Sequence, residues 1–461
     1  MNRRDFLKAG SLTAGMIFSG GLVACNTLPG PVSRSESVII IGAGMAGIAA
    51  ARALKERGFR VLVLEGRQRI GGRVLTDRSL GAPIDLGASH IHGGLRNPIT
   101  LLAREYGVES TRVEWHNLVG FETDGTPLEY ETLSKVSDNL YSVLRRAVLR
   151  GIGTKEDVPV EEIIQRVTRS RSFTRAERRM FEFGLASFEL ITAASLDQLS
   201  WQNSKEYKDY GGGDHIVTNG YDGVVQGYAK GLDIRLQQRV TRIETSASEV
   251  HITTNDGVLS ADRVIVTVPL GVLKANTIEF VPALPDEKLH AIDSLGMGLL
   301  NRVALRFPKA FWPREPHALV HGTDNRGEFS VFVNLYRYTG EPILVAMIPM
   351  GYANALEGMS ERDAAALGVE VLRRMYGSSV PESDGTVQTR WGSDPYTLGA
   401  YSYNRLGGAG EDHDVLARPV GDRLFFAGEA THRRKYGSVS GAYHSGIRAA
   451  DEIVRAALAT T

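Results

Sequence analysis

A glycine-rich turn and an acid that follows it have the spacing of a site for a dinucleotide. The turn runs from Gly42 to Gly47 with the pattern G-x-G-x-x-G, and Glu65 follows Gly44 after about twenty residues. Gly42 permits the sharp turn, Gly44 lets a pyrophosphate approach the backbone, and Gly47 lets the next helix lie close to its strand. The N-terminus of that helix, which includes Ala46, stabilises phosphate charge, and the carboxylate of Glu65 accepts hydrogen bonds from a ribose.

The segments around this turn alternate between strand and helix patterns. Val38 to Ile41 is a short apolar run, an alanine-rich stretch follows and ends at Gly58, and Val61 to Leu64 is a second apolar run. Short apolar runs on either side of a small-residue helix are typical of a βαβ unit. An ordinary βαβ unit with a glycine-rich turn is the alternative interpretation. The strand, helix, strand and acid nevertheless stand in the order that dinucleotide binding requires.

The residues directly after the second strand distinguish flavin from nicotinamide. Arg67, Gly71, Gly72 and Arg73 place two glycines and flanking arginines there, as a second backbone approach to the same ligand requires. The stretch closely resembles the second dinucleotide motif of the flavin amine oxidase family, which includes polyamine oxidases, monoamine oxidases and the lysine-specific histone demethylases. The resemblance implies that the cofactor is FAD. It also implies an α/β fold class, with a Rossmann-like FAD-binding domain of the GR2 type assembled from discontinuous segments.

Composition excludes several other classes of protein. With 461 residues the chain is too long for a single core, so two or three domains are expected. Its 53 Lys and Arg residues balance 53 Asp and Glu residues, so the overall charge does not call for nucleic acid or an anionic membrane as a partner. A single cysteine, Cys25, excludes an intramolecular disulfide and a cysteine-based metal cluster.

The first residues have the pattern of an export signal rather than of a folded element. Arg3 and Arg4 have the form of a twin-arginine motif, and a mildly apolar stretch ends in a lipoprotein cleavage box, Leu22 to Cys25. We expect residues 1–25 to be a signal peptide, the twin-arginine translocase to export the chain with FAD bound, and acylated Cys25 to be its only anchor to a membrane, in the periplasm. A signal cleaved elsewhere, with an incidental cysteine, is the alternative. Residues 26–37, which include two prolines and three serines, are expected to be a tether.

A loop rich in small residues has the composition expected where the backbone packs closely against a flat ring. It contains Gly87, Ala88 and Ser89 and continues through His90 and His92. By the resemblance, this loop lies at the flavin face and His92 matches the active-site histidine of polyamine oxidases. Two alternatives stay open, a loop histidine that bonds to backbone and a metal pair of His90 with His92. The metal pair is disfavoured because no carboxylate or further histidine lies nearby in the sequence.

Strand patterns later in the chain resemble the family's further contribution to the same domain. Val240 begins one such run and Pro269 ends another. In the family, the backbone at the position of Val240 clamps adenine, and a turn like that at Pro269 ends a buried strand. The FAD-binding domain is therefore expected to comprise residues 38–107, 215–292 and 396–461.

The remaining segments, residues 108–214 and 293–395, are expected to form an α+β substrate-binding domain. Apolar positions repeat at three and four residues in its first part, which predicts helices, and alternate in its second part, which predicts an antiparallel sheet over the flavin. The predicted helices are Leu133–Leu149, Val160–Thr168, Ala176–Leu185 and Glu361–Tyr376, and the predicted strands are Val303–Phe307, Ser330–Asn334 and Ile343–Met347. Four acids that could meet a cationic substrate are expected at the surface instead: Glu189, Asp197, Glu206 and Asp209.

The C-terminal stretch combines a glycine turn with the start of a helix. Gly428 and Glu429 follow a strand-like run, and Gly437, Ser438 and Val439 open a helix whose N-terminus can stabilise negative charge on a flavin. The stretch is similar to that of animal spermine and polyamine oxidases. That similarity implies that Glu429 bonds to the ribityl or phosphate region and that residues 437–439 lie along the isoalloxazine edge.

Three aromatic residues and one arginine complete the predicted active site. By the resemblance, Trp391 packs near the reactive face, and Tyr401 and Tyr443 are candidate aromatic walls for a neutral amine. The cysteine that bonds to flavin in monoamine oxidases is replaced by Ala400, so FAD is expected to be noncovalent. Alignment sets Arg302 where the family has a lysine linked through water to flavin N5, and an arginine stays charged and cannot cycle protons. The alternative is that Arg302 faces outward and pairs with an acid.

The resemblance implies oxidation of a small-molecule amine, a polyamine or a related primary or secondary amine. Removal of a hydride equivalent from the carbon beside the nitrogen gives an imine, which water hydrolyses to an aldehyde and an amine. Oxygen, reduced to hydrogen peroxide, is the expected electron acceptor. Because Arg302 replaces the lysine, a periplasmic dehydrogenase that passes electrons to a cytochrome or a quinone is the second hypothesis. A noncatalytic flavoprotein is the third.

Overall fold

The computed structural model describes residues 36–129, 143, 156–323 and 325–459. The expected export signal with Cys25, nearly all of the tether and all but one residue of the predicted helix Leu133–Leu149 lie outside the described residues. The described helices are α1 (Met45–Glu56), α2 (Pro98–Glu105), α3 (Val160–Thr168), α4 (Arg175–Thr192), α5 (Asp222–Tyr228), α6 (Leu270–Lys274), α7 (Asp286–Ser294), α8 (Tyr336–Thr339), α9 (Met350–Glu357), α10 (Glu361–Tyr376), α11 (Glu411–Ala417) and α12 (Val439–Ala459). A helix with the length and apolarity of a membrane span is absent from the described residues.

The strands of the described residues are short and numerous. They are β1 (Ser37–Ile41), β2 (Arg60–Leu64), β3 (Thr76–Asp77), β4 (Ile84–Asp85), β5 (His90–Ile91), β6 (Ser110–Arg112), β7 (Leu118–Phe121), β8 (Pro127–Leu128), β9 (His215–Val217), β10 (Ile234–Arg235), β11 (Val240–Thr245), β12 (Val250–Thr254), β13 (Gly257–Ala261), β14 (Arg263–Val266), β15 (Glu279–Val281), β16 (Gly296–Met297), β17 (Leu300–Arg306), β18 (Ala318–His321), β19 (Val331–Asn334), β20 (Ile343–Pro349), β21 (Gly385–Gln388), β22 (Ser402–Tyr403) and β23 (Leu424–Phe426). Two of the sheets that these strands form position the candidate site.

The first is a five-stranded sheet in the order β10-β2-β1-β14-β23, with every strand pair parallel. One face is covered by α1 and α12, where Val38, Ile40 and Ile265 meet the alanines of both helices. The other face packs against the four-stranded sheet β13-β12-β11-β15 through Ile39 and Ile41. Burial on both faces explains why these strands are continuous apolar runs. The predicted α/β class is confirmed.

The second is a seven-stranded sheet in the order β21-β17-β20-β19-β18-β7-β8, in which only the β7–β18 pair is parallel. The apolar side chains of α9 and α10 pack on one face. The predicted antiparallel sheet is confirmed, but β17 and β20 are longer than predicted and are buried along nearly their whole length. Leu300 pairs with Pro349, so the ladder continues beyond the alternating residues at one end.

Helix α4 is also longer than the predicted Ala176–Leu185. A capping box between Thr174 and Glu177 starts it, and it ends at Ala193, which has a left-handed backbone with φ of 52°. The extra turns carry Glu189 inward, where it is 4% exposed and lies 3.5 Å from Arg326. The expectation that Glu189 lies at the surface is therefore wrong. Burial raises the pKa of Glu189 to about 7, although Arg326 acts to lower it.

Gly47→Ala is expected to destabilise the protein by about 1–3 kcal/mol, because a Cβ there would lie 2.0 Å from the carbonyl oxygen of Gly42. Thermal unfolding followed by circular dichroism measures the effect. Gly351→Ala is the matched control, because a Cβ on that helical glycine would have no packing neighbour within 4 Å. The control is expected to be neutral or stabilising by about 0.5–1 kcal/mol. An unchanged melting temperature in Gly47→Ala contradicts this account of the turn.

Candidate active site

A single long cavity runs from the glycine-rich turn at the N-terminus of α1 to the seven-stranded sheet. Nearly every residue proposed from the sequence lines it. Of the predicted cofactor-binding residues, the cavity is lined by Gly42, Gly44, Ala46, Glu65, Arg67, Gly71, Gly72, Arg73, Gly87, Ala88, Ser89, Val240, Pro269, Trp391, Gly428, Glu429, Gly437, Ser438 and Val439. Gly47 lies beneath the turn, where it lets α1 approach the backbone of Gly42, as predicted.

The first end of the cavity is built from two glycine turns that lie against each other. Gly42 has a φ of +107°, which only glycine adopts readily, and it ends β1 beside the start of α1. Gly71 donates its N–H to the carbonyl oxygen of Ala43 at 2.8 Å. A Cβ on Gly72 would lie 3.6 Å from the Cα of Gly44, so the second motif packs closely on the first. Together the turns leave backbone and a helix N-terminus facing the cavity, which suits a pyrophosphate.

Glu65 lies beside these turns at the end of β2 and is 6% exposed. Its carboxylate accepts hydrogen bonds from the N–H of Ala43 at 2.8 Å and of Arg67 at 2.9 Å. Two amide donors hold the carboxylate at the cavity wall, where its remaining lone pairs can accept from ribose hydroxyls. The side chain of Arg67 is paired with Asp394 at 2.7 Å and stacks over Tyr396, so its charge is already compensated.

Glu429 has partners that the sequence did not indicate. Arg73 donates to Oε1 at 2.8 Å, and Oε2 accepts from the hydroxyl of Ser402 at 2.6 Å and the N–H of Gly437 at 2.6 Å. Although burial acts to raise it, the pKa of Glu429 is held below its ordinary value chiefly by Arg73 and Ser402. The carboxylate of Glu429 joins three segments of the cavity wall, and the expected bond from Glu429 to the ribityl or phosphate region stays a prediction.

Arg302 faces the cavity rather than solvent. It is 7% exposed, and its guanidinium donates to the carbonyl oxygen of Asp85 and, at 2.9 Å, to the hydroxyl of Ser89. The alternative of an outward arginine paired with an acid is therefore wrong, because β17 turns this side chain toward the cavity. Within the described part of the chain no carboxylate lies within ion-pair distance of Arg302. Burial lowers the pKa of Arg302, but an arginine remains charged, so the wall carries a fixed positive charge.

Two of the three predicted aromatic residues line the cavity. Trp391 is 5% exposed and its indole N–H donates to the carbonyl oxygen of Leu86 at 3.4 Å, while the Tyr401 hydroxyl donates to that of Leu190 at 3.0 Å. Tyr443 does not line it and packs on Tyr228, with ring centroids 5.9 Å apart. The prediction for Tyr443 is wrong because Val439 and Ala442 take the cavity side of α12, and the next residue points about 100° away.

His92 lies beside a carboxylate that sequence reasoning missed. Strand β9 pairs antiparallel with β5 so that Ile91 is opposite His215, which brings Asp214 opposite His92. His92 Nδ1 lies 3.4 Å from Asp214 Oδ1, and Asp214 also accepts from the N–H of Gly93 at 3.0 Å. The two residues are far apart in the chain, so proximity in the sequence could not pair them.

A run of three glycines before Asp214 was the available signal. Gly211, Gly212 and Gly213 all have positive φ, at 76°, 85° and 79°, and the run pairs with the loop after His92 through the bond from Gly94 N–H to the Gly213 carbonyl. The metal alternative for His90 and His92 gains no support. The residues that the structure describes contain no group of three or more His, Cys, Asp or Glu side chains placed to hold a metal ion.

The cavity fits FAD. Its first end offers a glycine cradle, a helix N-terminus and the carboxylate of Glu65, which suit the pyrophosphate and ribose. Further along, Ser89, Arg302 and the start of α12 at Val439 line the same space, as a flavin ring requires. Ala400 lines the wall without a thiol, and Cys25 is the chain's only cysteine, so no side chain here can form a thioether to the cofactor.

Comparisons with known proteins agree with this geometry. A family model described as flavin containing amine oxidoreductase matches residues 45–454. The chain is 38% identical over 450 residues to polyamine oxidase 4 of Oryza sativa subsp. japonica, covering 94% of this chain and 91% of that protein. It is 38% identical over 447 residues to FLOWERING LOCUS D of Arabidopsis thaliana, covering 93% and 56%. Putrescine oxidase with bound putrescine has a similar fold, with a TM-score of 0.76 and 22% identity over 92% of this chain and 99% of that one.

Proposed function

The chain belongs to the flavin containing amine oxidoreductases, and from that membership we propose that it oxidises a polyamine or a related primary or secondary amine, with oxygen as electron acceptor. It is an FAD-dependent oxidoreductase that holds its cofactor noncovalently. The products proposed are an aldehyde, an amine and hydrogen peroxide. The proposal draws on relatives that are polyamine oxidases by name and cover nearly the whole chain.

One continuous cavity carries this proposal. It extends from the dinucleotide cradle past Arg302 and Trp391 into an arm with mainly apolar walls. The walls of this arm include Leu118, Phe183, Leu190, Val320, Val331 and Val333. An amine that enters the arm therefore reaches the reactive end of the cofactor in a space with few groups to hold water.

The chemistry that bound FAD supplies is removal of a hydride equivalent from the carbon beside the amine nitrogen. The chain's own residues prepare the amine for this step. Trp391 and Tyr401 line the cavity as aromatic walls, which can pack against an amine without holding its nitrogen as a full ammonium. Arg302 places positive charge next to Ser89, which disfavours a protonated amine and favours electron density on the cofactor side of the cavity.

Steady-state turnover tests the proposal. FAD-loaded protein is mixed with spermine, spermidine, short diamines and aryl amines, and both peroxide and aldehyde are measured. Peroxide and aldehyde in equal amounts support an oxidase. The dehydrogenase alternative is favoured by the fixed charge of Arg302, and it predicts rapid reduction of a quinone or cytochrome with little peroxide.

Arg302→Lys is expected to change the rate at which oxygen reoxidises the protein by about tenfold or more, roughly 1.4 kcal/mol of barrier, and to change reduction by substrate much less. A lysine can release its proton in a buried site, whereas an arginine cannot. Stopped-flow absorbance follows the two half-reactions separately. Arg306→Lys is the control, because it lies on the same strand but pairs with Asp384 at 2.7 Å away from the cavity. Changes within about twofold in both half-reactions of Arg302→Lys place this residue away from the flavin.

We propose further that the protein is exported to the periplasm by the twin-arginine translocase and anchored through acylated Cys25. Replacing Arg3 and Arg4 with lysine is expected to leave active protein in the cytoplasm, since this pathway requires both arginines. Fractionation and an activity assay measure the shift. Cys25→Ser is expected to abolish acylation, seen as loss of palmitate label. Unchanged periplasmic activity in the double lysine variant contradicts the export route.

A further inference from the structure

Among the described residues, three carboxylates line the cavity, and Asp214 is the one whose ion-pair partner is a histidine: His92 Nδ1 lies 3.4 Å from its Oδ1. The other two carboxylates that line the cavity are Glu65, which accepts from two backbone amides at the dinucleotide end, and Glu429, which is paired with Arg73. Asp214 is 4% exposed and accepts from the N–H of Gly93 and, at 3.2 Å, from the indole N–H of Trp115. The two N–H donors fix its position without adding charge, and His92 is the titratable group that shares the carboxylate.

The surroundings of Asp214 keep that charge. Although burial acts to raise it, the pKa of the Asp214 carboxyl is held well below its ordinary value, chiefly by His92 and the Gly93 amide. The neighbouring rings of His90 and His317 do not oppose it with charge, because burial lowers the pKa of both. Both rings line the cavity, and the Nε2 atom of each is buried without a hydrogen-bond partner among the described residues. These two atoms therefore offer hydrogen-bonding capacity at the cavity wall.

The two fixed charges divide the cavity. The Ser89 hydroxyl links Arg302 to His90, because it lies 2.9 Å from the Arg302 guanidinium and 2.9 Å from His90 Nδ1. The positive charge of Arg302 disfavours an ammonium on the cofactor side of the cavity. The negative charge of Asp214 favours an ammonium at the part of the cavity wall that Asp214 lines. The walls of the arm are mainly apolar, and a further ammonium there would be buried without a partner at a large cost in free energy.

We propose that Asp214 is a specificity-determining residue that binds one ammonium of the substrate. This inference rests on the proposed function and names its substrate class. The preferred substrate is an amine with one reacting nitrogen and one recognised ammonium joined by an apolar chain. Longer amines with three or four charges are poorer substrates, because the arm offers no second carboxylate.

Four amines of matched chemistry test the specificity. We compare kcat/KM for 1,4-diaminobutane, n-pentylamine, spermidine and spermine in the parent and in Asp214→Asn. The parent is expected to prefer the diamine over the monoamine by about tenfold or more, as a charge-assisted hydrogen bond provides. Asp214→Asn is expected to lower kcat/KM for the diamine by about 10- to 100-fold and for the monoamine by less than about threefold. Asp214→Glu, which keeps the charge, is expected to recover part of the preference.

Asp209→Asn is the matched control. Asp209 lies in the same loop and accepts from the N–H of Tyr210, but it does not line the cavity. Its variant is expected to keep the parent's preference. A diamine preference that survives in Asp214→Asn overturns the proposal, and so does a parent that prefers spermine over the diamine.

A binding experiment separates this inference from the proposed function. The tert-butylammonium ion has no hydrogen on the carbon beside its nitrogen, so it binds without being oxidised. Calorimetric titration of FAD-loaded protein is expected to show saturable binding that Asp214→Asn weakens about tenfold or more and Asp209→Asn leaves unchanged. Binding that persists when no amine is turned over contradicts the proposed function alone. Absence of binding to the parent, or equal binding to Asp214→Asn, overturns the role of Asp214.

Discussion

Glu429→Gln is expected to lower the free energy of unfolding by about 3–5 kcal/mol and to weaken FAD retention, because it leaves the Arg73 guanidinium without its buried partner. Glu429 is 4% exposed and accepts from Arg73, Ser402 and the Gly437 amide. A glutamine has one acceptor oxygen and directs an NH₂ group at a second donor. The segments that carry Arg73 and Gly437 both line the cavity, so their separation also disturbs the cofactor site.

Chemical denaturation of the loaded protein and FAD fluorescence in the filtrate measure the two effects. Glu279→Gln is the control, because that glutamate pairs with Arg242 with its side chain 61% exposed. Exposed pairs contribute at most about 1 kcal/mol, so little change is expected there. A variant at Glu429 with parent-like stability and FAD content contradicts the role given to this carboxylate.

The same residue gives a pH dependence whose sign is defined. The folded-state pKa of Glu429 lies below its ordinary value of 4.5. Its contribution to stability is therefore complete above pH 4.5 and is lost as the pH falls through the lower folded-state pKa. Stability measured from neutral pH into this acidic range should fall less steeply in Glu429→Gln than in the parent.

Glu65→Ala is expected to weaken FAD binding by about 10- to 100-fold. The carboxylate is positioned by the amides of Ala43 and Arg67 at the place where the dinucleotide ribose is expected, and hydrogen bonds to a charged group contribute about 1.5–3 kcal/mol. Fluorescence titration of FAD into apoprotein measures the dissociation constant. Glu56→Gln, an exposed acid at the end of α1, is the control. A dissociation constant within about threefold of the parent's shows that Glu65 does not bind the ribose.

Local sequence patterns were sufficient to predict the part of the molecule that forms the dinucleotide end of the cavity. The turn at Gly42, the helix after it and Glu65 lie within one βαβ unit. Their spacing along the sequence therefore predicts their arrangement in the folded chain. The same holds for β14 and β23, whose apolar runs reflect burial on both faces of a parallel sheet.

Contacts between distant segments were not available from local patterns. Asp214 meets His92 because β5 pairs with β9, and Glu429 meets Arg73 because two segments far apart in the chain meet at the cavity wall. The predicted surface position of Glu189 is wrong because the helical pattern ends before the buried last turns of α4. Residue type favours a place in the cavity for Tyr443, but the period of α12 directs its side chain elsewhere.

The most direct test of amine oxidation mixes FAD-loaded protein with an amine in the absence of oxygen. Because oxygen is absent as an electron acceptor under these conditions, only the step between amine and cofactor is observed. If an amine reaches the cofactor through the apolar arm, 1,4-diaminobutane or a longer polyamine is expected to bleach the yellow absorption of the flavin in a saturable manner. One equivalent of aldehyde per protein is expected to form. A flavin that stays oxidised with every diamine, polyamine and aryl amine tested, in protein fully loaded with FAD, contradicts the proposed function.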